Sequence, residues 1–385
     1  MAPKRRHRRA VTVLLVAATV LTLVAIFSFW VSRQALNTDN WVNTSSKLLE
    51  NKAVQTQVAT FVVNQLYANV DVEAELRKAL PPQAKALAGP AAGGLRQLAQ
   101  QVAEKALATP QIQALWAEAN RAAHEQLLKI VDGGGSVVST GEGEVTLHLG
   151  TLVTRVAEQV GIPRDLTAKL PSEAGSLTVL ESKQLSTSQR IAKAIRRLPV
   201  LLTALLILLY GGAIYLARGR RREALRGVGI GFVVAGVVAL LLRRMAGNNV
   251  VDSLATTASV KPAAEAVWEI GTSLLVTVAV SAIAFGILVL IGSWLAGETA
   301  PATSLRRRAA PYLRERRGTA YGVAAAIWLA LIAWAPIAAF RKPFGIFLFA
   351  VLFALGTEAL LRQTLREFPG GPGHSSGTAA SDSHR

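Results

Sequence analysis

The chain contains no cysteine. That excludes disulfides, a thiol nucleophile and thiolate metal sites, so a domain outside the cytosol must be held by its own core. Catalytic signatures are missing as well. There is no H-E-x-x-H spacing for zinc and no G-x-S-x-G elbow for a serine hydrolase. Gly133, Gly134 and Gly135 lack the following Lys-Ser/Thr of a phosphate loop and read as a flexible turn. His124 falls on a helical pattern and His148 on a strand pattern, and both read as ordinary hydrogen-bonded residues. No cofactor, no metal and no enzymatic activity follow from these residues.

What the chain has is apolar length. Half of its residues are hydrophobic, 51%, and several uncharged runs reach the roughly 18 residues that cross a ~30 Å hydrocarbon core as a helix. The runs are 10–31, 199–217, 227–242, 270–297, 319–340 and 343–361. The third, 227–242, is short, and the flanking Arg226, Arg243 and Arg244 extend it by snorkelling. The first follows Lys4, Arg5, Arg6, Arg8 and Arg9 and is longer than a cleavable signal, so it reads as an uncleaved signal anchor.

The formal charge of +18 invites a nucleic-acid reading. Its distribution argues otherwise. Residues 33–197 hold 18 Lys and Arg against 15 Asp and Glu, a net of +3, and the remaining +15 sits in short clusters beside apolar runs. That is the positive-inside pattern. Six spans place the clusters at 4–9, 218–226 and 306–317 in the cytoplasm, with both termini inside. The expected order is a basic cytoplasmic N-terminus (1–9), the first span and a large external segment (32–197). The second and third spans, an external loop (243–269) and the fourth span follow. A basic cytoplasmic loop (298–318), two further spans and a Gly- and Ser-containing cytoplasmic tail (362–385), read as disordered, complete it.

Helical periodicity runs through the external segment. Val54, Val58, Phe61, Val62 and Leu66 share one face, and Leu95, Leu98, Ala99, Val102 and Ala106 another. Ile112, Leu115, Trp116, Ala119 and Ala123 form a third, behind a Thr109-Pro110 cap. These faces are expected to pack on each other, with a lipid-binding groove between them as the alternative. Val145, Leu147 and Leu149 alternate as in a strand, with a hairpin around Gly141 and a further strand at 177–180. The expected fold is therefore mainly α: a six-helix transmembrane bundle with a mainly helical extracytoplasmic domain carrying a small β-sheet.

Few polar groups enter the spans. Ser273, Thr277 and Ser281 recur every fourth residue, a pattern that serves hydrogen bonding between helices or wets a transport path. Glu358 is the one carboxylate inside a run, with Arg362 one turn on, which reads as an interfacial ion pair. Gly227, Gly231, Ala235 and Ala239 form a small-residue face for helix packing, as do Gly322, Ala326 and Ala330.

The stretches NTDNWVNTSSKLLENKAVQ, QLYANVDVEAELRKALPP, PQIQALWAEANRAAHEQLL, YLARGRRREALRGVG and VKPAAEAVWEIGTSLL resemble a family of uncharacterised integral membrane proteins of actinobacteria. The resemblance covers roughly 36–297 and implies a bacterial plasma membrane; it brings no functional residues. The functional expectation is a non-enzymatic envelope interaction or scaffold protein. Its partners are the lipid bilayer and an envelope protein or lipid held by residues 32–197, with no nucleic acid. A transporter or transport accessory for lipid or envelope material is the alternative.

Overall fold

The computed structural model describes residues 3–132, 144–148, 176–255, 257–315, 317–334 and 343–368. Over these residues the chain is nearly all α-helical. Two compact units are formed, one from residues 25–202 and 240–276, the other from 1–24, 203–239 and 277–385.

In the first unit, helices start where a short polar side chain can take up a free backbone N–H. Asn37 accepts from the amide of Asn40 and starts α2 (Thr38–Glu50). Asn51 closes α2 and, accepting from the amides of Ala53 and Val54, opens α3 (Lys52–Asn69) in the same turn. Asp71 caps α4 (Val72–Ala79), and a 3-10 turn at Pro82–Leu87 leads into α5 (Ala88–Leu107). Thr109 accepts from the Ile112 amide, with Pro110 at the first position of α6 (Pro110–Val131), as its sequence predicts. Helix α2 packs against α6, and α3 against α5. Val42, Leu49, Ala59 and Val63 are buried between these elements. The Trp116 indole donates to the Ser45 carbonyl at 3.0 Å and ties α6 to α2.

A two-stranded antiparallel ladder joins β1 (Glu144–His148) to β2 (Ser176–Glu181). Among the described residues the small sheet expected here is not supported beyond this two-stranded ladder, and the turn around Gly141 lies outside the described residues.

The other unit gathers parts of four long helices: α1 (Pro3–Ala35), α7 (Ser182–Leu216), α8 (Arg221–Leu254) and α10 (Ser273–Leu295). Ala18, Tyr210 and Val228 form its buried centre, with Leu15, Leu206, Leu209, Ile214 and Phe232 around them. Phe232 stacks on Tyr210 at 5.4 Å and meets the edge of Phe285 at 4.8 Å. The Tyr210 and Thr22 hydroxyls hydrogen-bond at 3.0 Å. Between α7 and α8 the chain reverses over four residues. Gly219 takes φ 80° there, a left-handed conformation that a Cβ would strain.

Among the described residues four helices are long and apolar enough to cross a membrane: Arg8–Ala35, Gln189–Leu216, Arg221–Leu254 and Ser273–Leu295. The short third run is thus the middle of a 34-residue helix. The second run begins inside a helix that continues through Pro199. The expected six-helix bundle is not supported. Neither α12 (Arg317–Trp334) nor α13 (Pro343–Glu367) is a candidate span over its described residues. Helix α13 carries Glu358, Arg362, Arg366 and Glu367 in its second half. Both pack against α11 (Ala300–Glu315). Residues 362–367, assigned from sequence to a disordered tail, continue α13 as helix; the tail beyond Phe368 lies outside the described residues.

Candidate functional site

Large apolar side chains are exposed in two settings. On the candidate spans, Val13, Val16, Val20, Leu201, Leu205 and Leu208 point outward. For such helices the solvent is hydrocarbon, so exposure needs no other account. Helices α3 and α5 are not candidate spans. Yet Phe61 is 63% exposed, Leu98 57% and Val102 65%, with Val62, Leu66 and Leu95 also open.

This corrects the expectation that the apolar faces of these helices pack on each other. Three polar contacts cross the seam between α3 and α5. Gln100 donates to the Thr60 hydroxyl at 3.0 Å, Arg96 to Asn64 at 2.5 Å, and the Tyr67 hydroxyl to the Ala92 carbonyl at 3.4 Å. The Arg96 guanidinium also lies over the Tyr67 ring at 5.6 Å. Thr60, Asn64 and Tyr67 are spaced i, i+4, i+7, which places them on one face of α3. Leu95, Leu98 and Val102 are spaced i, i+3, i+7 on a different face of α5. Once the polar face has taken the neighbouring helix, the apolar stripe is left outside.

The α2–α6 pair holds that domain together, and His124 is its buried polar anchor. It is 2% exposed. Its Nε2 lies 3.2 Å from the Ala35 carbonyl and its Nδ1 3.1 Å from the Thr38 hydroxyl. Since a carbonyl only accepts, the proton sits on Nε2 in the neutral ring, and Nδ1 accepts from Thr38. The ring stacks on Trp41 at 5.0 Å. His124→Ala is expected to destabilise the domain by about 2–3 kcal/mol, from a lost buried ring and an orphaned carbonyl. Chemical unfolding followed by tryptophan fluorescence measures it; an unchanged midpoint would show that the ring carries no structural load.

The polar residues singled out from sequence have local partners. Ser273 Oγ donates to the Ile270 carbonyl and Ser281 Oγ to the Thr277 carbonyl, both at 2.7 Å. Glu358 accepts from Tyr321 at 2.6 Å and from Arg362 at 2.5 Å. Among the described residues no three acidic or histidine side chains group to hold a metal ion.

The small residues of α8 divide between neighbours. A Cβ on Gly227 would meet Leu15 of α1 at 2.6 Å, and one on Gly231 would meet Thr19 Oγ1 at 2.6 Å and the Tyr210 hydroxyl at 2.8 Å. Ala235 and Ala239 are buried. On α12, a Cβ at Gly322 meets nothing within 4 Å, and Ala326 is exposed. The side chain of Ala330 is not described.

Sequence reasoning missed two sets of residues. Gly229, Gly236 and Gly286 bring α8 and α10 into backbone contact: a Cβ on Gly286 would lie 2.6 Å from the Gly229 carbonyl oxygen, and one on Gly236 2.7 Å from that of Ala279. Gly229 and Gly236 are seven residues apart, two helical turns, which was the available signal. The second is Arg306, read as a topological charge. It is 5% exposed. Its guanidinium donates to the Leu295 carbonyl at the end of α10 and to the Gly297 carbonyl just beyond it, and pairs with Glu367 at 2.9 Å.

Four helices of bilayer length and apolarity define a membrane protein. No family model, no curated protein and no solved structure matches the chain.

Proposed function

We propose that the chain is a non-enzymatic interaction or scaffold protein of a bacterial plasma membrane, acting through its helical domain at 32–197. The carrying observation is the exposed stripe on α3 and α5, which among the described residues has neither a helix packed over it nor a place on a candidate span. In this reading the first span is a signal anchor, and both termini are cytoplasmic. The domain lies outside the cytoplasm, and α12 and α13 cross as the fifth and sixth spans. The basic clusters support that topology, since arginines are retained on the cytoplasmic side. The resemblance to an actinobacterial membrane family supports the same compartment. The segment after α8 belongs with the domain: α9 (Lys261–Gly271) packs on α2 and α3, and Gln57 donates to the Ser259 carbonyl at 3.0 Å. The partner is an envelope protein or lipid that presents an apolar surface.

Photo-crosslinking in intact membranes tests this with the full chain. A photoreactive residue at Leu98 or Val102 is expected to give a discrete adduct that the same residue at Glu73 does not. Phe61→Ser combined with Leu95→Ser should reduce its yield at least about tenfold, since losing about 1.4 kcal/mol of apolar burial already weakens binding by that factor. Absence of any adduct from the stripe positions would reject the reading.

A further inference from the structure

We infer that a second site, independent of the α3–α5 stripe, binds the phosphate of an anionic phospholipid headgroup between α8 and α13. An open cavity of about 490 Å³ lies there, lined by Arg222, Ala359, Arg362, Gln363, Arg366 and Glu367. Three guanidinium groups face one carboxylate.

That carboxylate is already engaged. Glu367 pairs with the buried Arg306 at 2.9 Å and accepts from Gln363 at 2.7 Å. Arg222 pairs with Glu298 at 3.1 Å, and Glu298 is almost wholly exposed. Arg362 pairs with Glu358. Arg366 has no acidic partner among the described residues. Arg362 and Arg366 stand one turn apart on the same face of α13, a spacing at which like charges repel. The lining thus has an excess of positive charge with unused donors, arranged around a concavity. A tetrahedral phosphate matches it, since guanidinium forks bind phosphate oxygens in pairs.

The position on α13 selects the source. The helix is apolar through Leu361 apart from Thr357 and Glu358, and the two arginines follow directly. Ala359 contributes the apolar part of the lining. A change from hydrocarbon-like to basic surface within one turn is where a headgroup sits, with its acyl chains along the apolar part of the helix.

The test uses the full chain, stripped of lipid in a neutral detergent and incubated with phosphatidylglycerol, phosphatidylcholine or inorganic phosphate. Native mass spectrometry counts the lipid retained. The wild-type protein is expected to retain phosphatidylglycerol about tenfold better than phosphatidylcholine. Arg366→Gln should lose about fivefold of that preference, and the pair Arg222→Gln and Arg366→Gln the rest of it. Arg366 is exposed, so its replacement leaves folding intact, which an unchanged thermal midpoint verifies; Arg366→Lys should fall between. Equal retention of the two lipids, or full retention by the double variant, overturns the site. Displacement of the lipid by equimolar inorganic phosphate overturns the headgroup as its source; failure to displace it supports the lipid.

Discussion

Gly286→Val is expected to force α8 and α10 apart and to lower the thermal midpoint of the detergent-solubilised protein strongly. The nearest atoms to a new side chain there are the Gly229 carbonyl oxygen at 2.6 Å, Val233 Cγ2 at 2.8 Å and the Val233 amide nitrogen at 2.9 Å. Two of the three are backbone. A side-chain end can rotate away, but a helix backbone moves only as a whole. Overpacking costs typically 1–3 kcal/mol, and a branched side chain against backbone belongs at or above the upper end, about 3 kcal/mol. Gly236→Val should behave alike, since Ala279 O and Ile283 stand as close. Two comparisons isolate the cause. Gly227→Ala meets the methyl end of Leu15, which can give way, and should cost below about 1 kcal/mol. Gly322→Ala points into open space and should leave the midpoint unchanged or raise it slightly through helix propensity. Equal effects at Gly286 and Gly322 would contradict the close approach.

Arg306→Met is expected to be nearly as damaging, by about 3 kcal/mol. The substitution keeps an unbranched apolar stem but removes the guanidinium donors. The Leu295 and Gly297 carbonyls then lose their partner, and Glu367 is left beside an apolar group. The full cost of breaking a buried pair is discounted here because the Glu367 side chain is 30% exposed. Glu367→Gln should cost less, since a neutral amide still accepts from Arg306.

The same pair sets an acid response. Burial alone would raise the pKa of the Glu367 carboxyl. The hydrogen bonds from Gln363 and Arg306, with the charges of Arg306 and Arg222, outweigh it and hold the group below its ordinary value of 4.5. A carboxyl whose pKa is depressed on folding contributes stability above its unfolded value and loses it as pH falls through the folded one. Acidification below 4.5 should therefore weaken the wild type through this group. The Glu367→Gln variant lacks that component, and denaturant midpoints at neutral and acid pH compare the two. Parallel pH profiles would remove Glu367 from the account.

Much of the architecture was legible beforehand. Uncharged runs announced the helices, Thr109-Pro110 announced a helix start, and Gly219 falls in the basic turn between two runs. The glycines of α8 were only half legible. Gly227 and Gly231 stood out by their four-residue spacing, but that spacing says which residues share a face and nothing about which face meets backbone. The backbone contacts fall to Gly229 and Gly236, on a different face. Arg306 was read by its neighbours in the chain, where it is one of three consecutive arginines; its burial depends on carbonyls at and just beyond the end of α10 and a carboxylate on α13. The apolar stripes of α3 and α5 were read as mutual partners, because periodicity reports that a face is apolar without saying what covers it.

Local chemistry in this chain is enough to dictate helices, their caps, the apolar lengths suited to a bilayer and the clustering of arginine beside them. Those properties depend on residues within a turn or two of one another, and on the cost of unpaired backbone in hydrocarbon. Partners distant along the chain settle the rest: the hydrogen-bonded seam that leaves Phe61, Leu98 and Val102 open, the glycines that admit a neighbouring backbone, and the arginine that closes a helix end. Each requires two surfaces to choose each other by shape and hydrogen bonding, and that choice has no period to read.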